Sequence, residues 1–166
     1  MRTRPIAAFA AATLLLTGLA GDNAHAIAPG PAWVWPMSPH TVIRTFYRPP
    51  HNWLPGHRGV DLAGSVGAPV RAAGAGQVTF AGDLAGKGVV VVRHGPLRTT
   101  YEPVAAVVVV GQQVAAGQLI GRLAPGVSHC SSGLGVQCLH WGLRRGRRYL
   151  DPLVLVSRHP RLLPRT

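Results

Sequence analysis

His57 and Asp61 stand four residues apart, a spacing that puts both side chains on one face of either a helix or an extended strand. An imidazole nitrogen and a carboxylate oxygen presented together are donors that zinc accepts. Catalytic zinc sites take three protein ligands and keep the remaining position open to water. Alone, His-x-x-x-Asp is a weak signal, because a chain with eight histidines can produce it by chance. Acidic residues are scarce, five against 17 lysines and arginines in 166 residues, so each carboxylate calls for an explanation of its own. Beyond the first 26 residues these are Asp61, Asp83, Glu102 and Asp151.

The elements that must position these residues read as short strands. Past Gly56, apolar β-prone runs alternate with glycines: Ala68 to Ala72, Gln77 to Ala81, Val89 to Arg93, Thr99 to Tyr101, Ala106 to Val110 and Leu119 to Leu123. No amphipathic helix of ordinary length appears, so an all-β fold with a compact antiparallel core and low helix content is expected. Residues 27–55 carry seven prolines, which disfavour helices and central strands, and form a lead-in whose Trp33, Trp35, Phe46, Tyr47 and Trp53 can pack on the domain or line a groove. Residues 1–26 have the form of a signal peptide: Arg2 and Arg4, an apolar run from Ile6 to Ala20, and the small-residue pattern Ala24-His25-Ala26. The expected organisation is a signal peptide over 1–26, the lead-in over 27–55, one β domain over 56–156 and a basic tail over 157–166.

The surroundings of the first two candidate ligands carry more information than their spacing. Gly56-His57-Arg58-Gly59-Val60-Asp61-Leu62-Ala63 is followed by Gly67-Ala68-Pro69-Val70 through Gly76-Gln77-Val78. Further on come Val89 to Val92 leading to His94-Gly95, then Tyr101, Val114-Ala115-Ala116-Gly117-Gln118-Leu119-Ile120-Gly121 and Cys138-Leu139-His140-Trp141. As an ordered set these resemble the lysostaphin-type (LytM-like) zinc metallopeptidases over roughly Gly56 to Leu143. The resemblance implies an antiparallel β core related to the barrel-sandwich hybrid, with zinc held by His57, Asp61 and His140. It also implies hydrolysis of peptide cross-links in bacterial peptidoglycan.

Two further histidines of that family's active site are missing here. The family's Tyr-x-His reads Tyr101-Glu102-Pro103, and its His-x-His reads Cys138-Leu139-His140. Ordinary activity then depends on a substitute. Glu102, the only glutamate, adjoins the lost position and is a candidate general base, and His129 is a candidate imidazole if its loop folds over the metal. Failing both, the chain is a weakened or inactive relative that binds peptidoglycan or regulates another wall hydrolase. His94 and His51 are lesser candidates for which structural roles suffice, and Asp151 reads as a cap or a partner for a nearby arginine.

An exported chain with two cysteines most often pairs them, so a Cys130–Cys138 disulfide is expected. In the alternative, Cys138 stays reduced and closes the site as a fourth zinc ligand. The formal charge of +12 favours polyanionic surroundings such as cell-wall polymers. Nucleic acid is disfavoured by export and by the lack of aromatics interleaved with Arg144, Arg145, Arg147 and Arg148. The expected protein is secreted or wall-associated and monomeric, with no membrane span after signal cleavage and with peptidoglycan peptides or anionic wall polymers as partners.

Overall fold

The computed structural model describes residues 33–51, 53–126, 130 and 137–157. The signal-peptide segment, His129 and all but the first residue of the basic tail lie outside them. Eleven strands make up nearly all regular structure among the described residues, with a single 3-10 turn (Pro152–Leu155) as the helical element. The larger sheet runs β1 (Val42–Arg44), β2 (Gly59–Gly64), β10 (Gln137–Arg145), β6 (Leu97–Glu102), β5 (Lys87–His94), β4 (Gly76–Leu84) and β8 (Gln113–Val114). A short β11 (Arg148–Leu150) hairpins back onto the end of β10. The smaller sheet, β3 (Pro69–Arg71), β9 (Leu119–Leu123) and β7 (Val104–Ala106), covers one face of the larger, and every strand pairing among the described residues is antiparallel. No helix among the described residues is long and apolar enough to cross a membrane.

Alternation of side chains along the strands separates a core face from an open face. Val60 and Leu62 of β2, Leu139, Trp141 and Leu143 of β10, Tyr101 of β6 and Val90 and Val92 of β5 are fully buried; all but Leu143 pack in one cluster with Val70, Ile120, Leu123 and Val104 of the smaller sheet. Residues between them in sequence, including Asp61, His140 and Glu102, therefore stand on the opposite face. Trp33, Trp35 and Phe46 of the lead-in pack against the core, whereas Trp53 is exposed.

One expected strand is displaced. The run Ala106 to Val110 is continuous in β-propensity, but the strand is Val104–Ala106, and Val107, Val109 and Val110 are exposed. The chain turns there, with Gln112 N–H donating to the Val109 carbonyl and Gly111 at φ +92. Five strands were not apparent as runs: β1, β2, β8, β10 and β11. β2 and β10 alternate apolar residues with the polar or charged ones of the open face, which masks them in a search for apolar runs. Asp151 caps the 3-10 turn, its Oδ1 accepting from Leu153 N–H at 2.9 Å.

A polar chain runs through the core. Tyr101 OH accepts from Ala73 N–H at 2.8 Å and lies 2.9 Å from Thr99 Oγ1, which in turn lies 2.8 Å from His94 Nε2. His94 Nδ1–H donates to the Ala75 carbonyl at 2.8 Å, and the ring meets Trp33 edge-on. Burial pushes the Tyr101 hydroxyl up to about 12 and holds the His94 imidazole below its usual range, the bond to Ala75 opposing the latter shift.

The fold therefore predicts a specific acid sensitivity. Unfolded, His94 takes up a proton near pH ~6.5; folded, it does so only at lower pH, so stability is lost as pH falls below that value. His94→Asn should make the drop in melting temperature between about pH 7 and 5 shallower, and an unchanged slope would contradict the assignment. Tyr101→Phe, which strands the buried Ala73 N–H, is expected to lower unfolding free energy by about 1–3 kcal/mol in denaturant titrations.

Candidate metal centre

Antiparallel pairing sets Asp61 of β2 directly opposite His140 of β10, and His140 opposite Glu102 of β6. Directly opposed residues project from the same face. The row continues to Arg44 of β1, opposite Asp61, so four ionisable groups stand side by side across four strands. His57 enters from the approach to β2, held by a bridge in which Tyr47 and His57 exchange backbone hydrogen bonds of 2.9 Å.

Three donor atoms converge. His57 Nε2 lies 3.0 Å from Asp61 Oδ1 and 3.2 Å from His140 Nδ1, and His140 Nδ1 lies 2.8 Å from Asp61 Oδ1. Zinc with bonds of ~2.0–2.1 Å in a tetrahedron sets its donors about 3.3 Å apart, so the triangle needs to open by only a few tenths of an ångström. Asp61 is fully buried and His57 nearly so. A buried carboxylate is costly without positive charge beside it, which a divalent cation supplies. The chemistry and the geometry of the donor set both fit zinc.

Orientation of the ligands comes from residues with no motif of their own. His57 Nδ1–H donates to the Thr45 carbonyl at 2.7 Å; because a carbonyl only accepts, the proton is fixed on Nδ1 and Nε2 is left as a donor to metal. Nothing in the sequence signalled Thr45 or Arg44. Gly59 was within reach: a Cβ there would collide with the Trp141 carbonyl and lie 2.7 Å from His140 Nε2. The glycine is thus what admits the His140 ring.

The open face forms a groove of about 490 Å³ lined by His57, His140, Glu102, Arg44, Arg58, Thr100 and neighbours. Glu102 belongs to it because Tyr101 points the other way, into the core. Pro103 does not. Pairing of β6 with β10 stops at Glu102, and at Pro103 the chain crosses to the smaller sheet, where the Pro103 carbonyl accepts from Ala124 N–H at 3.1 Å. Cys138 shares the face of His140 and is bonded to Cys130 with their Cα atoms 6.0 Å apart, an ordinary disulfide span. The expected disulfide is present and the alternative of Cys138 as a reduced fourth ligand is corrected: although both sulfurs lie within 4.8 Å of an Asp61 oxygen, neither is a thiolate. The cross-link closes a short loop, worth about 2.5 kcal/mol in the chain-entropy account. His51 stacks on Trp53, and His94, half-buried, is bonded to the Ala75 carbonyl and Thr99 Oγ1.

Residues 55–152 match peptidase family M23. The chain belongs to that family. An uncharacterized protein of Mycobacterium tuberculosis is 51% identical over 137 residues, 78% of this chain and 54% of its own length. Outer membrane antigenic lipoprotein B of Haemophilus influenzae is 31% identical over 82% of this chain and 33% of its own. The chain thus spans about half of the first relative and a third of the second. Among solved structures, lysostaphin matches with a TM-score of 0.58 at 25% identity, over 71% of this chain and 51% of its own. Its likeness and the M23 match agree with the all-β fold.

Gly59→Ala tests the packing of this M23 site. It should reduce zinc affinity at least ten-fold by isothermal titration, since the His140 ring must give way; wild-type affinity would show that the ring has room to spare.

Proposed function

We propose that this chain is a zinc metalloendopeptidase acting on the peptide cross-links of peptidoglycan. The observation that carries the reading is the convergence of His57 Nε2, Asp61 Oδ1 and His140 Nδ1 beside an open groove, three ligands rather than four. Membership of M23 and the likeness to lysostaphin support it. Zinc in such a site supplies Lewis-acid polarisation of the scissile carbonyl and a water acidic enough to attack near neutral pH. Glu102, opposite His140 on the groove face, accepts the proton of the attacking water at its carboxylate and returns it to the leaving amine nitrogen. Thr45 holds the His57 ring, and the cross-link keeps the Cys138 sulfur from serving as a thiolate ligand. His129, next in sequence to Cys130, is the second candidate for this proton transfer. Export to the cell envelope accords with the name of the H. influenzae relative, and the mature protein is taken to act as a monomer.

A second reading is favoured by the residues at two positions. Proline at 103 and a disulfide cysteine at 138 replace groups that the resemblance assigns to orienting water and stabilising the tetrahedral intermediate. A relative without them binds wall peptides or regulates another hydrolase.

Zinc content of the oxidised protein, followed by incubation with purified peptidoglycan and assay of newly released amines, separates the readings. Zinc with release supports the peptidase, zinc without release supports the binding protein, and no zinc overturns the metal assignment. Glu102→Gln is expected to slow release by about 10²–10⁴-fold with zinc retained. An unchanged rate there, with loss in His129→Ala, would transfer the role to His129. Cys138→His made with Cys130→Ala should raise activity.

A further inference from the structure

Four residues along each strand from the metal row, the same open face carries a second row. Arg144 of β10 stands opposite Arg98 of β6, and Arg98 opposite Arg93 of β5. Like charges placed directly opposite one another destabilise a sheet. None of the three has a carboxylate in ion-pair range among the described residues. Arg93 is drawn aside, donating to Gln77 Oε1 at 3.0 Å. Arg98 and Arg144 instead flank a pocket of about 460 Å³ walled by Thr79, Thr100, Phe80 and Val91. Thr100, Val91 and Arg144 also line the metal groove, so the two hollows are continuous.

The pocket is prepared for an anion. Arg144 is braced, with its guanidinium 5.0 Å over the Tyr149 ring and an Nη2 donating to the Gly146 carbonyl at 3.3 Å. Its Nε is buried and has no hydrogen-bond partner among the described residues. A braced Arg144 beside Arg98, in a hollow lined by threonine hydroxyls, matches the two-oxygen geometry of a carboxylate. Arg98 and Arg144 are four residues from Glu102 and His140, roughly 13 Å at strand rise. An extended peptide covers that distance in about four residues.

We propose that Arg98 and Arg144, with Thr79 and Thr100, form a subsite for a carboxylate of the wall peptide, about four residues from the bond that lies at the metal row. The inference rests on the peptide-hydrolase or peptide-binding reading of the groove. A discrete hollow at peptide spacing favours a peptide carboxylate over a polyanionic glycopolymer, which would need an extended stripe of charge.

The test uses the zinc-loaded full chain and peptides isolated from purified peptidoglycan, with their carboxylates free or converted to amides, in isothermal titration. The free-acid peptides should bind at least ten-fold more tightly than the amides. Arg98→Gln and Arg144→Gln should abolish that difference, whereas Arg145→Gln, which removes the same charge from the other face of β10, should preserve it. Melting temperatures at or above wild type in the Arg98 and Arg144 variants would exclude unfolding as the cause, since both relieve like-charge repulsion. Equal binding of acid and amide, equal loss in Arg145→Gln, or displacement by a poly(glycerol phosphate) with no acid–amide difference would overturn the subsite. An acid–amide difference without peptide release leaves the subsite standing and removes only the peptidase reading; release without the difference does the reverse.

Discussion

Antiparallel pairing of β2 with β10 in a single register is the constraint from which the site follows. It sets Asp61 against His140 while Val60 and Leu62 on one strand and Leu139 and Trp141 on the other bury their side chains beneath. A slip of one residue would put Asp61 in the core and Leu62 in the groove. The hydrophobic core therefore fixes the candidate metal ligands: the force that buries Trp141 also holds His140 in place. Gly59 and Gly142, themselves paired across these strands, keep the adjoining positions free of side chains, and at Gly59 this is what gives the His140 ring its place. Edge strand β1 completes the arrangement by delivering Arg44 and the nearby Thr45 carbonyl.

Much of this was legible in the sequence because ligand types and glycine spacing persist where packing does not announce itself. His57, Asp61 and His140 were named from an ordered motif set, and they meet at one point. Most of the short core strands were legible because β-branched and aromatic residues are concentrated in them. β2 and β10 were not, since a strand that carries a site on one face interrupts its own apolar pattern. Val107 to Val110 failed in the opposite sense: β-branched residues continued past the point where the chain turns outward. The contribution of Thr45 had no signature at all, because a backbone carbonyl acts there and any residue can supply one. Glu102 could be placed only once its register was known, as its neighbour Tyr101 takes the core side.

Two properties proposed for the chain separate at this site. Metal binding depends on three donors fixed by core packing, and the observed triangle is close to what zinc needs. Catalysis depends on proton transfer, for which position 103 offers a sheet-crossing proline and position 138 a cross-linked sulfur. Glu102 is the group on the right face to make up that loss, and the arginine row beyond it lies where an extended peptide would continue.

In the proposed reading one zinc ion is held by two imidazoles and one carboxylate with no sulfur. X-ray absorption at the zinc edge on the oxidised, zinc-loaded protein tests it most directly. Only nitrogen and oxygen neighbours at about 2.0–2.2 Å are expected. A sulfur shell at about 2.3 Å, or a spectrum unchanged by His140→Ala, would contradict this reading.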